Sequence, residues 1–169
     1  APSPSELKTI SDATSGAITL PSTNFTLSAS SSVLADALSG NFTNYAGNVT
    51  LTDAAPSVAN LAIINNKTSG TVTLNANDAT FTGSAADLSA AFAGGLVGDQ
   101  TGALTISDTT GTIAASTLTD ITAQTTGAVG MASGGPTIQG TTAEITAALV
   151  TGGTKITAGA ATVSYTHLR

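Results

Sequence analysis

The 169-residue sequence has no Cys, no Trp, one Met and one His, and only 8% of its residues are charged. An average soluble domain has roughly 25% charged residues. Without Cys, a disulfide framework, a thiol nucleophile and a thiolate zinc site are all excluded. His167 is the only His in the sequence, so we expect neither a Ser-His catalytic site nor a metal site with His ligands. The sequence therefore predicts no catalytic, metal-binding or cofactor-binding residue, and we expect a protein that is not an enzyme and needs no cofactor.

Positive charge is also scarce. Ten acidic residues outnumber four basic ones, for a formal charge of −6. The basic residues are scattered along the chain: Lys8, Lys67, Lys155 and Arg169. A nucleic-acid-binding protein needs a clustered positive face, so that class is excluded. The apolar stretches are interrupted by Gly, Thr or Asp within a few residues, so we expect no membrane span.

The sequence does have internal similarity. About one residue in five is Thr, and 18 residues are Gly. One sequence template occurs three times. In each copy, two apolar residues precede a Thr-Ser-Gly or Thr-Thr-Gly triplet, and a short alternating stretch follows it. The copies are Leu7-x2-Ile10-x3-Thr14-Ser15-Gly16-x-Ile18-x-Leu20, Leu61-x2-Ile64-x3-Thr68-Ser69-Gly70-x-Val72-x-Leu74 and Leu118-x2-Ile121-x3-Thr125-Thr126-Gly127-x-Val129-x-Met131. The triplet glycines are 54 and 57 positions apart. We infer a tandem repeat of about 55 residues that consists of two unequal half-units.

Each half-unit combines a strand pattern with a helix pattern. The stretches that follow the glycines alternate polar and apolar residues, which is typical of a half-buried strand. The segments Ser84–Phe92 and Thr141–Leu149 begin with a hydroxyl residue followed three positions later by Asp87 or Glu144. This spacing predicts a capping box at the start of a helix. The Leu-x2-Ile segments are also compatible with helix, or with irregular corners.

From this pattern we expect a β-solenoid of about six half-units, with short strands and small helices at the corners, as a single domain over residues 1–162. The half-units are predicted at residues 5–15 (partial), 16–46, 47–69, 70–101, 102–126, 127–152 and 153–162 (partial). One half-unit has too few apolar side chains to fold alone, so stacking must complete the core. We therefore expect one apolar ladder of Leu20, Leu74 and Met131 and a second ladder of Leu38, Phe92 and Leu149.

The repeats resemble those of giant secreted bacterial surface proteins, of the kind found in marine cyanobacteria. The residues that carry this resemblance are Asp108-Thr-Thr-x2-Ile113-Ala-Ala-Ser116-x-Leu118-x2-Ile121-x3-Thr125-Thr-Gly127 and the run Gly83–Leu88. The resemblance implies an adhesin-like, secreted protein at the cell surface. The calcium-binding nonapeptide of related proteins is missing, so we transfer no calcium site. The final residues 163–169 resemble a translated sequencing adapter, so we expect a metagenomic fragment with a non-native tail.

Two pairs of acidic residues occupy corresponding positions. Asp53 and Asp108 follow two of the predicted strands and, if the windings stack, could together bind a hard cation such as calcium. Alternatively, each carboxylate caps a local backbone amide in a turn. Asp87 and Glu144 are already accounted for as helix caps, and Met131 is expected in the core.

The function that this sequence predicts is structural. We expect a segment of a larger extracellular bacterial protein, whose partners would include further copies of the same repeat, with end-to-end self-association as an additional possibility. The alternatives are a ligand-binding face for ice or carbohydrate, suggested by the pairs Thr50/Thr52, Thr71/Thr73, Thr80/Thr82 and Thr117/Thr119, and a glycoside hydrolase with two close carboxylates.

Overall fold

The computed structural model describes residues 2–20, 25–94, 96–97, 100–133, 135–150, 156–157 and 162–165, with the backbone alone for 96, 97, 157 and 165. Its helices are α1 (Pro4–Asp12), α2 (Ser31–Leu38), α3 (Val58–Lys67), α4 (Ala85–Phe92), α5 (Ala115–Ala123) and α6 (Thr142–Leu149). Its strands are β1 (Leu27–Ala29), β2 (Val49–Leu51), β3 (Val72–Thr73), β4 (Phe81–Gly83), β5 (Leu96–Val97), β6 (Leu104–Ile106), β7 (Thr112–Ala114), β8 (Val129–Met131), β9 (Thr137–Gly140), β10 (Ile156–Thr157) and β11 (Thr162–Tyr165).

Local sequence explains where three of the helices begin. Ser3 and Glu6 form a capping box at α1, and Thr141 and Glu144 form the same arrangement at α6. At α4, the backbone N–H of Asp87 donates to the Ser84 hydroxyl oxygen at 3.1 Å. Each of these contacts satisfies amides that a helix leaves unbonded in its first turn. The predicted caps at residues 84 and 141 are therefore confirmed.

The strands form three small parallel sheets. Their orders are β1-β2-β3-β5, β10-β8-β6-β4 and β11-β9-β7. Leu27, Val49 and Val72 stand in register in the first sheet, and all three side chains are buried. Alternation along each strand places the intervening residues on the opposite face, as period-two geometry requires.

The chain forms two compact units. The first comprises residues 1–77 and 90–98, and the second comprises residues 78–89 and 99–169. Within the first unit, α2 packs against both α1 and α3. Within the second unit, α5 packs against α6. The core consists mostly of Leu, Ile, Val and Ala side chains that have almost no solvent exposure.

The predicted β-solenoid of about six half-units is wrong. The described residues form a mixed α/β fold in which the six helices have 8 to 10 residues and the strands only 2 to 4. The physical reason is that the Leu-x2-Ile segments and the Ala-rich segments are all helices, so that strands are the smaller part of the structure. The strands also lie in three separate sheets.

The two predicted ladders are also wrong. Leu74 directly follows β3, which pairs with β2 and β5, whereas Met131 belongs to β8, which pairs with β6 and β10. Leu38 lies in α2, whose helix neighbours are α1 and α3, and Leu149 lies in α6, which packs on α5. Met131 is nevertheless buried, at 8% exposure, so its predicted place in the core is confirmed.

Candidate functional site

A buried threonine follows α3 and joins it to an earlier part of the chain. The Thr68 hydroxyl oxygen lies 3.0 Å from the Tyr45 carbonyl oxygen and 2.8 Å from the Gly47 carbonyl oxygen, to which it donates. The backbone N–H of Gly70 donates to the same hydroxyl oxygen at 3.0 Å. Because Thr68 is 8% exposed, these bonds form where water cannot readily replace them. We call this arrangement of Thr68, Tyr45, Gly47 and Gly70 the first threonine clamp.

A second threonine clamp has the same design. The Thr125 hydroxyl oxygen lies 3.0 Å from the Gln100 carbonyl oxygen and 2.7 Å from the Gly102 carbonyl oxygen, to which it donates. The N–H of Gly127 donates to the Thr125 hydroxyl oxygen at 2.9 Å. Both threonines begin a triplet that ends in Gly, so the triplet marks the position of the clamp in the sequence. Sequence reasoning used these triplets only to define the repeat and missed their buried hydroxyls.

Each clamp is extended by a neighbouring side chain. The Tyr45 hydroxyl donates to the Phe25 carbonyl oxygen, and burial raises the pKa of Tyr45. Gln100 is 2% exposed, and its Nε2 donates to the Ala79 carbonyl oxygen. Tyr45 precedes Gly47 by two residues, and Gln100 precedes Gly102 by two residues. The two side chains therefore have the same role, because each donates a hydrogen bond to a backbone carbonyl oxygen 20 or 21 residues earlier.

Asp53 and Asp108 each cap a helix that begins earlier in the chain. The Asp53 carboxylate accepts the Ser31 backbone N–H at 2.9 Å and the Ser31 hydroxyl at 2.6 Å, at the start of α2. The Asp108 carboxylate accepts the Ala85 backbone N–H at 2.7 Å, at the start of α4. A carboxylate is favourable at a helix N-terminus because unpaired N–H groups and the positive end of the helix dipole are there. The two residues therefore bond to two different helices.

Carbonyl groups beyond the helix C-termini are bonded in a similar way. The Lys67 ammonium donates to the carbonyl oxygens of Gly40 and Phe42, just after α2, at 3.3 and 3.4 Å. The Asn41 side-chain amide donates to the Thr14 carbonyl oxygen, just after α1, at 2.9 Å. These side chains thus bond backbone carbonyl groups of the segments that follow α1 and α2. The polar groups of the described chain thus bond mainly to its own backbone.

Glu144 and Asp87 act as local caps. The Glu144 carboxylate accepts the Thr141 backbone N–H at 2.7 Å and the Thr141 hydroxyl at 2.9 Å. The bond from the Thr141 backbone is the main cause that holds the pKa of Glu144 below its usual value. The Ser84 hydroxyl donates to the Asp87 carboxylate at 2.7 Å. Both carboxylates are therefore engaged at the helix ends where the sequence placed them.

The threonines form only short rows. Ser28, Thr50 and Thr73 stand in register across the first sheet, on the face opposite its buried residues. In the second sheet, Thr82 and Thr105 are in register, but Gly130 takes the next position. Thr117 and Thr119 lie in α5 rather than in a strand, and the Thr119 hydroxyl donates to the Ala115 carbonyl oxygen at 3.2 Å. The rows are therefore short, and the best of them spans three strands.

The described part of the chain contains no group of three or more His, Cys, Asp or Glu side chains that could hold a metal ion. His167 lies outside the described residues. No helix in the described ranges is long and apolar enough to span a membrane. No protein-family description, curated protein or solved structure matches this chain. The candidate function therefore rests on the geometry of the residues described above.

Proposed function

We propose that this chain is a structural segment of a larger extracellular, adhesin-like bacterial surface protein, and that it positions or displays other parts of that protein without catalysis. The observation that carries the proposal is that buried or partly buried polar side chains form hydrogen bonds to distant groups of the same chain. The hydroxyls of Thr68 and Thr125, and the carboxylates of Asp53 and Asp108, bond to groups 21 to 25 residues away in the sequence. Side chains engaged in this way stabilise the fold and are not poised as nucleophiles or bases.

The composition agrees with a position outside the cell. The stabilising contacts need no thiol, so the fold is independent of the redox potential of its surroundings. The sequence is rich in Thr and Ser, and the net charge of −6 favours solubility over binding to other polyanions.

Location is tested in a bacterium that expresses the parent protein. Antibodies raised against this chain should label intact cells, and external protease should remove the signal, while a cytoplasmic marker stays unlabelled and uncleaved. Labelling that requires permeabilised cells would overturn the extracellular assignment.

The structural role is tested by replacing this segment of the parent protein. Replacing this segment in the parent protein by an unrelated folded segment of similar length should preserve surface display and adhesion. Adhesion that is lost while display is intact would show that this segment itself binds the target, which contradicts the proposal.

A binding face is the second candidate, and the row of Ser28, Thr50 and Thr73 favours it. Regularly spaced hydroxyls on a flat sheet can bind ice or a carbohydrate chain. Inhibition of ice recrystallisation, or binding on a glycan array, that is lost in Thr50→Lys would support this candidate. The proposed structural role predicts neither activity in the wild-type chain.

A further inference from the structure

All six helices bury a large aliphatic residue. These residues are Leu7, Leu34, Leu61, Leu88, Leu118 and Ile145, with exposures from 0 to 4%. The residue three positions later is on the adjacent side of the helix. In five helices that residue is also buried, at 0 to 1% exposure: Ala37, Ile64, Ala91, Ile121 and Ala148. In α1 it is Ile10, which is 47% exposed.

Ile10 is therefore a large apolar side chain at a position that is otherwise covered. The other side of α1 is turned towards α2, because Pro4 and Lys8 line a groove with Val33 and Asp36. Ile10 instead lines an open cavity of about 600 Å³ with Pro2, Ser5, Glu6 and Thr9. We call the surface formed by Pro2, Glu6, Thr9 and Ile10 the outer α1 face.

A second apolar surface that is only partly covered occurs at α6. The residue four positions after the central aliphatic residue is 0% exposed in α2, at Leu38, and 3% exposed in α4, at Phe92. In α6 this residue is Leu149, which is only half-buried, and the adjacent Val150 is 70% exposed. We call Leu149 and Val150 the outer α6 edge.

We propose that the outer α1 face binds a second copy of this chain through the outer α6 edge of that copy. Helix pairs of this kind already occur within the chain, where α1 packs on α2 and α5 packs on α6, so the contact between copies continues an existing mode of packing. The α6 edge adds no charge to the contact, since Glu144 is at the opposite end of the helix and bonded to Thr141. The contact joins two different surfaces, so each copy keeps one surface open for a further copy.

The contact is small, so we expect weak association that depends on concentration. Sedimentation velocity over a concentration series should show dimers and longer oligomers of the wild-type chain. Ile10→Glu and Val150→Glu should each weaken association by about tenfold or more, because a charge replaces buried apolar area. Ile63→Glu is the matched control, since Ile63 is a 37% exposed isoleucine on α3, and it should associate like the wild type.

Mixing the two variants distinguishes this contact from a symmetric one. Ile10→Glu keeps an intact α6 edge and Val150→Glu keeps an intact α1 face, so an equimolar mixture should form a heterodimer that cannot grow. A wild-type chain that stays monomeric up to about 1 mM would overturn the proposal. Unchanged association of Ile10→Glu, or a mixture that fails to pair while the wild type associates, would also overturn it.

Because the chain contains no Cys, cross-linking provides an independent readout. Under oxidising conditions, Ile10→Cys mixed with Val150→Cys should give a disulfide-linked heterodimer. Ile63→Cys in place of Ile10→Cys should give only background cross-linking. Equal yields in the two mixtures would contradict the proposed contact. These experiments use the isolated chain, so their outcome does not depend on the structural role proposed above.

Discussion

Gly70 lies directly against Gly47. A Cβ atom at position 70 would be 2.1 Å from the Gly47 carbonyl oxygen, which no side chain can tolerate without a shift of the backbone. The requirement for glycine is thus one of space, because the described residues with positive φ are Gly94 and Gly111, and Gly70 is not among them.

Gly70→Ala should therefore destabilise the protein by about 2–3 kcal/mol, because the backbones of two neighbouring segments must separate. Gly130→Ala is the control, since a Cβ there meets nothing within 4 Å. It should be neutral or stabilising by up to about 1 kcal/mol. Chemical denaturation of both variants measures the difference, and equal stabilities would show that the close approach at Gly70 is not required.

Thr68→Val tests the first threonine clamp. The substitution keeps the shape but removes the hydroxyl, so the N–H of Gly70 and the Gly47 carbonyl oxygen lose this partner, whereas the Tyr45 carbonyl oxygen keeps its bond from the Ser69 N–H. We expect a loss of about 2–3 kcal/mol in the free energy of unfolding. Thr73→Val, at an exposed strand position, should change stability by less than about 0.5 kcal/mol. A Thr68→Val protein as stable as the control would contradict a stabilising role for the clamp.

Asp53→Ala tests the long-range helix cap. The N-cap residue of α2, Ser30, makes no side-chain cap bond, so Asp53 supplies the acceptor for the first turn. Its removal should cost about 1–2 kcal/mol and increase hydrogen exchange at Ser31. Asp36→Ala removes an exposed charge from the same helix and should leave exchange at Ser31 unchanged. Equal exchange in the two variants would rule out capping by Asp53.

The pKa of Glu144 predicts how stability depends on pH. Because hydrogen bonds from Thr141 lower this pKa in the folded state, the ionised carboxylate favours folding. Its contribution is present above the usual pKa of Glu, about 4.3, and is lost as the pH falls through the lower, folded-state pKa. Glu144→Gln should therefore show a smaller fall in Tm between pH 6 and pH 3 than the wild type. An identical fall in both proteins would contradict this role.

Leu88→Ala tests the core. Leu88 is 0% exposed at the centre of α4, and its truncation should cost about 2–4 kcal/mol through lost contacts and the remaining cavity. Val150→Ala, at a 70% exposed position, should cost less than about 0.5 kcal/mol in thermal or chemical unfolding of the monomer. A Leu88→Ala variant that unfolds like Val150→Ala would show that Leu88 is dispensable for the core.

Part of the local structure was predictable from the sequence. The helix cap at Ser84 and the capping box at Thr141 were predictable because side chains satisfy amides only three residues away. The burial of Met131 followed from its place in an alternating stretch. Interactions over short distances along the chain leave a readable pattern.

The pairing of the strands was not predictable in the same way. We expected Leu74 and Met131 to stack because their segments share a template, but Val72 pairs with Val49, and Val129 pairs with Leu104. An alternating strand can pair with any strand of the same alternation, and the partner depends on the connecting segments. The distant partners of Asp53 and Thr68 were missed for the same reason, since they are 21 to 23 residues away along the chain.

The contacts of Asp53 and Lys67 also have a consequence for biosynthesis. Asp53 caps a helix that begins 22 residues before it, and Lys67 bonds a carbonyl group 27 residues before it. On the ribosome, α2 and the segment after it therefore emerge without these contacts, which can form only when the following thirty or so residues have left the exit tunnel, at a synthesis rate of about 5–20 residues per second. In both cases a later segment supplies the side chain that bonds an earlier one, so these two contacts can form only in the order in which the chain is synthesised.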